Sequence, residues 1–135
     1  MPPYTAAATA HGARSGHVRS DNGRVDLDLA IPEELGGPGG NATNPEELFA
    51  AGYSACFQGA LGAAAGKRDI DVSGSDVTAR VTITDTDFTL SVALEVKIPG
   101  VEREVAEKLV ESAHRICPYS RATRDNIEVT LSVVD

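Results

Sequence analysis

The sequence predicts an α+β fold of mainly antiparallel sheets packed around a long central helix, in a single domain over residues 1–135. Three observations lead there. Apolar residues alternate with a period of two in both the first and last thirds of the chain. Between them, a strong helix-start signal opens an Ala- and Gly-rich run. The resulting order is strands, long helix, strands, helix, strand, which is the pattern of an α+β domain.

Each element has its own signal. Tyr4 to Ala10 reads as a strand, and Gly16 to Ser20 continues the extended character. Asp21-Asn22-Gly23 is a hairpin turn, because Asn-Gly tolerates the positive φ that tight turns require. Val25 to Leu29 alternates apolar and acidic residues, as a half-buried strand does. Gly36 to Gly40 is a flexible connection. The long helix then starts with Asn44 as cap, Pro45 at the first helical position and Glu47 completing a capping-box pattern. It runs to about Lys67. Interior glycines cost roughly 1 kcal/mol each relative to alanine. Their presence in this helix predicts another backbone packed very close and a buried position for the helix. Asp76 to Thr84 and Phe88 to Ile98 read as strands joined by a turn at Asp85-Thr86-Asp87. Val101 to Ile116 is an amphipathic helix with Val105, Leu109, Ser112, Ala113 and Ile116 inward. Pro118 ends it at Cys117. Ile127 to Val134 closes the chain as a strand.

Composition narrows the function. With three Phe, three Tyr and no Trp, the core rests on aliphatic residues. A formal charge of −8 opposes nucleic acid and anionic membranes, which call for a basic surface. Neutral or weakly polar substrates are expected. The N-terminus carries no basic segment followed by an apolar one, and no run reaches the ~20 apolar residues of a membrane span. The expected compartment is the cytoplasm, where a cysteine pair is more often redox-active than a static staple.

The chain has two cysteines, Cys56 and Cys117. Cys56 lies inside the long helix, with Phe49, Tyr53 and Phe57 at helical spacings near it. On this stretch alone a buried cysteine acting as a small hydrophobe, which is what most free cysteines are, is the better fit. Mid-helix, Cys56 gains nothing from the helix dipole, so a thiolate there needs a cation from elsewhere. Arg14, in Gly12-Ala13-Arg14-Ser15-Gly16, is one candidate, and an ordinary solvated loop arginine is the alternative. Cys117 lies at the negative end of its helix and suits a thiol that attacks an oxidised Cys56. As a permanent disulfide the pair would close a long loop, worth roughly 4 kcal/mol by chain entropy. A disulfide-stapled binding domain and a non-catalytic redox sensor therefore stand beside the enzyme reading. His11, His17 and His114 have no partners at metal-ligand spacing, and no metal is expected. Gly36 to Gly40 lacks the lysine and context of a phosphate loop.

Gly36 to Gly40 leading through Asn44-Pro45-Glu46-Glu47-Leu48-Phe49 to Cys56-Phe57, followed by Cys117-Pro118-Tyr119-Ser120 and Ala122-Thr123-Arg124, resembles the organic hydroperoxide resistance branch of the OsmC family. The likeness runs nearly end to end. It implies thiol-dependent reduction of alkyl and fatty-acid hydroperoxides to alcohols, as antioxidant defence. Cys56 then matches the peroxidatic residue, Cys117 the resolving one, Arg14 the active-site arginine and Glu46 the glutamate that holds it. Also implied are an OsmC-like fold, an intertwined homodimer with sites at the interface, no bound cofactor, and lipoylated proteins as external dithiol donors. Phe49, Tyr53 and Phe57 are expected to line an apolar mouth that favours organic hydroperoxides. Glu46 precedes Cys56 by ten residues, about 15 Å along a straight helix. Arg14 bridging the gap, a break in the helix, or a Glu46 from the second subunit would reconcile them, and the last is the expected arrangement.

Overall fold

A computed structural model describes residues 1–84 and 86–135. They form two compact units, Met1–Leu48 and Phe49–Asp135.

The first unit is a three-stranded antiparallel sheet of β1 (Ala8–His11), β2 (His17–Ser20) and β3 (Asp26–Asp28), in that order. Between β1 and β2 the chain makes one 3-10 turn at Ala13–Ser15. Gly12 and Ala13 there have φ of 83° and 55°. Gly16 closes the turn so tightly that an added Cβ would lie 1.8 Å from the His11 carbonyl oxygen. The predicted hairpin forms: Gly23 has φ 75°, and the Asn22 side chain accepts from the Arg24 amide at 3.0 Å. The first strand is shorter than expected. β2 runs only from its turn to Ser20, whose partner is Ala8, so residues before Ala7 have no strand to pair with. After β3, Leu29 makes a single parallel bridge to Thr43.

Helix α1 (Pro45–Gly66) starts at the end of this unit and continues, unbroken, into the second. Its start is as predicted at the backbone: Asn44 Oδ1 accepts from the Glu47 amide at 2.8 Å. The Glu47 carboxylate accepts instead from the Thr43 hydroxyl at 2.7 Å, so the box is closed one residue upstream.

In the second unit, β4 (Asp76–Ile83), β5 (Leu90–Lys97) and β6 (Val129–Val134) form a sheet in that order. β4 pairs antiparallel with β5 and β6 pairs parallel, which puts β5 in the middle. Accordingly β5 buries Val92, Leu94 and Val96. These side chains close a core with Tyr53, Phe57, Leu61 and Ala64 of α1 and with α2 (Arg103–Ile116). Of the predicted turn between β4 and β5, Asp85 lies outside the described residues. Asp87 accepts from the Thr89 amide at 3.1 Å, and Phe88, with φ 57°, leaves the strand, so β5 starts two residues later than expected.

Two expectations need correction. On α2 the fully buried residues are Ala106, Leu109, Val110 and Ala113, with Val105 packed against the core beside them, whereas Ile116 is exposed. Cys117 takes the buried place at that end. On α1, among the described residues, no backbone of this chain lies against Gly52, Gly59 or Gly62. Gly52 faces the Tyr119 side chain, and Gly59 and Gly62 are exposed with open space beyond them. No described helix is long and apolar enough to cross a membrane.

Candidate active site

The second unit brings the two cysteines together. Cys56, half-buried on α1, has its sulfur 3.7 Å from that of fully buried Cys117, and both thiols are free. Cys117 is the joint between α2 and α3 (Pro118–Thr123), with extended φ −63° and ψ 123°. Pro118 explains this geometry. It disfavours helical ψ in the residue before it and suits the first position of the helix after it. Cys117 therefore donates its amide to the Ala113 carbonyl of one helix while its own carbonyl accepts from Arg121 of the next, at 2.8 and 3.0 Å. The chain reverses there and delivers the sulfur to α1.

Three influences act on the Cys56 thiol. Burial pushes its pKa up, the backbone N–H of Tyr119 pulls it down, and the neighbouring Cys117 pushes it up again. The net direction is up, as expected when an apolar surrounding disfavours a thiolate.

Aromatic rings share the core cluster with the pair. Phe49, Tyr53 and Tyr119 pack with centroids 6.0, 6.2 and 5.7 Å apart, taken pairwise. Tyr53 and Phe57 are fully buried, so of the three rings assigned to an apolar mouth only half-buried Phe49 offers surface to an entering molecule. Tyr119, 39% exposed, is a wall that its place outside the long helix hid from spacing arguments. A Cβ on Gly52 would sit 2.9 Å from the Tyr119 hydroxyl, so glycine makes room for that ring.

Beneath the rings lies a polar cluster that sequence reasoning missed. The Tyr53 hydroxyl meets Ser120 Oγ at 2.8 Å and Thr123 Oγ1 at 3.1 Å, and Ser120 Oγ meets His114 Nδ1 at 2.8 Å. Its only sequence signal is hydroxyls at Cys117 plus three and plus six, which one turn of helix separates.

Arg14 and Glu46 meet in the first unit. One guanidinium nitrogen lies 2.9 Å from Oε1 and 3.0 Å from Oε2 of Glu46, and its N–H is aligned with Oε2. Oε1 is buried without an aligned donor. The pair forms within one chain, and Glu46 also sits in the first turn of α1, where the helix dipole favours a carboxylate. Because α1 is continuous, a break in the helix does not relate Glu46 to Cys56. In the same unit, His17 lies between Asp26 and Asp28. Among the described residues, no three His, Cys, Asp or Glu side chains converge as a metal site would need.

Residues 37–132 match the family described as OsmC-like protein. The chain is 44% identical to the organic hydroperoxide resistance protein of Xanthomonas axonopodis pv. citri, over 96% of this chain and 94% of that one. It is 42% identical to the organic hydroperoxide resistance protein OhrB of Bacillus subtilis, over 98% and 99%. Among solved structures, an organic hydroperoxide resistance protein of Legionella pneumophila superposes with a TM-score of 0.92 at 46% identity, covering all of both chains.

Proposed function

Because this chain belongs to the OsmC family, in its organic hydroperoxide resistance branch, we propose that it is a thiol peroxidase that reduces organic hydroperoxides to alcohols. The observation that carries the reading is the pair of free sulfurs 3.7 Å apart, in a chain that has no other cysteine.

The Cys56 thiolate attacks the terminal peroxide oxygen. The O–O bond breaks, the alkoxide takes a proton and leaves as alcohol, and Cys56 becomes a sulfenic acid. Cys117 then attacks that sulfur. An S–S bond forms, the S–O bond breaks, and the hydroxyl leaves as water with the Cys117 proton. A dithiol, a lipoyl group in this reading, reduces the disulfide by exchange and is itself oxidised. A reducing compartment such as the cytoplasm suits this cycle.

The upward push of burial on Cys56 has to be offset for attack at neutral pH. The Tyr119 N–H contributes, and the family likeness assigns the remaining charge to Arg14, held by Glu46. Phe49 and Tyr119 favour an alkyl group over water at the approach. A second copy of the chain completes the reading. α1 leaves Ala51, Ala55, Gly59, Gly62 and Ala63 exposed, and a helix apolar on nearly every side is normally covered. A homodimer supplies the cover.

The test is consumption of cumene hydroperoxide and hydrogen peroxide with dihydrolipoamide or glutathione as reductant. Faster consumption of the organic peroxide with the dithiol is expected. Equal rates with both oxidants, or none with either, would end the proposal.

A further inference from the structure

The hydroxyl cluster beside the cysteines has a direction that the distances alone determine. Four contacts link it: His114 Nδ1 to Ser120 Oγ, Ser120 Oγ to Tyr53 Oη, Tyr53 Oη to Thr123 Oγ1, and Thr123 Oγ1 to the Ser120 carbonyl at 3.2 Å. A carbonyl has no hydrogen to give, so Thr123 donates to it. Each hydroxyl holds one hydrogen. Thr123 can therefore only accept from Tyr53, Tyr53 can only accept from Ser120, and Ser120 can only accept from His114. Every other assignment leaves a contact without a hydrogen. His114 must carry its proton on Nδ1. Arg124 fixes the same residue from its other side, donating to the His114 carbonyl at 2.6 Å.

The placement of this chain is what matters. Tyr53 stands one helical turn before Cys56, and Ser120 stands one turn after Cys117. Tyr53 and Ser120 are fully buried and Thr123 is nearly so, which makes a lost partner costly. The bonds thus tie α3, which Cys117 caps, to the turn of α1 that carries Cys56.

We propose that the Tyr53 hydroxyl is a positioning residue: through the one-way chain from His114 to Ser120, Tyr53 and Thr123 it locks the Cys117 turn against α1, and so governs how readily Cys117 closes on Cys56. The closure itself is the step already given, S–S formation with loss of water, or its equivalent by exchange with an external disulfide. The inference rests on the peroxidase reading for its kinetic half alone.

Two measurements on the full chain test it. In a dithiothreitol redox buffer, the Cys56–Cys117 disulfide of Tyr53→Phe should form with an effective concentration about tenfold below wild type, the factor one net hydrogen bond of ~1.4 kcal/mol gives. In single turnover with cumene hydroperoxide, followed by acid quench and mass spectrometry, closure should slow about tenfold more than the first oxidation of Cys56 does. If Tyr53→Phe fails to fold, Ser120→Ala answers the same question. His114→Asn, whose amide N–H replaces Nδ1–H, should restore most of what His114→Ala loses, and nitrogen-15 spectra should show His114 protonated at Nδ1. An unchanged effective concentration, or His114→Asn behaving as His114→Ala, overturns the inference. No reaction of wild type with hydroperoxide sinks the peroxidase reading and leaves the redox-buffer result to decide this one.

Discussion

Cys117 Sγ stands 3.7 Å from Cys56 Sγ, both thiols free, although 61 positions of sequence separate them. A disulfide needs ~2.05 Å, so closure requires the sulfurs to approach by about 1.7 Å. That is within reach of a side-chain rotation combined with a small shift of the Cys117 joint. The two sulfurs should therefore fail differently when removed.

Cys56→Ser should abolish peroxide consumption while the protein stays folded. Cys117→Ser should still undergo one oxidation and then stall, with Cys56 advancing to sulfinic acid under excess oxidant. Mass spectrometry after graded oxidant checks this. A Cys117→Ser variant that turns over with monothiols as fast as wild type does with dithiols would remove Cys117 from the cycle.

In the proposed role of Arg14 as the charge that favours the Cys56 thiolate, Arg14→Ala should raise the Cys56 pKa by about 1–3 units, the effect of withdrawing an opposite charge. Alkylation by iodoacetamide as a function of pH reports it. Arg14→Lys should recover only part of the effect, because a lysine is a compact point charge on a flexible stem and lacks the planar, pre-organised guanidinium.

Gly16→Ala should destabilise the first unit by about 1–3 kcal/mol or more, since its Cβ would overlap the His11 carbonyl. Thermal unfolding measures the loss. The same turn carries Arg14, so in the proposed role of that residue thiol reactivity should fall with it.

His17 should titrate above its ordinary range, because its protonated ring donates hydrogen bonds to Asp28 and then to Asp26. A raised folded pKa means that the pair's contribution is complete below the unfolded value of ~6.5 and disappears as pH rises through the folded value. Proton NMR of His17 in wild type, Asp26→Asn and Asp28→Asn should show the pKa falling with each substitution. The group is exposed, so the effect should weaken in salt.

Much of this architecture can be read from local signals. Asn44-Pro45 marks the start of α1, Asn22-Gly23 the hairpin, and Pro118 the joint at Cys117, because each acts through its own backbone geometry. The meeting of Cys56 with Cys117 and of Arg14 with Glu46 followed from the family likeness, since no local rule pairs residues so far apart. The parallel pairing of β6 on β5 was not legible, because alternation fixes a strand's faces and says nothing of its direction. Nor was the burial of Tyr53. Spacing placed its ring near the sulfur, but only the hydroxyls of Ser120 and Thr123, 67 and 70 positions on, turn it inward. Ile116 misleads for a simpler reason: at the helix end the chain turns at Cys117, which takes the buried place, while Val105 does pack against the core as expected.

The open side of α1 has a thermodynamic consequence. Alanine and glycine have no side-chain rotamers to freeze, so a surface built from Ala51, Ala55, Gly59, Gly62 and Ala63 loses almost no side-chain entropy when something settles on it. A face of leucines or methionines would bury more area, yet it would have to be ordered first. This one is already as rigid as the helix beneath it, and its shape is set before any neighbour arrives.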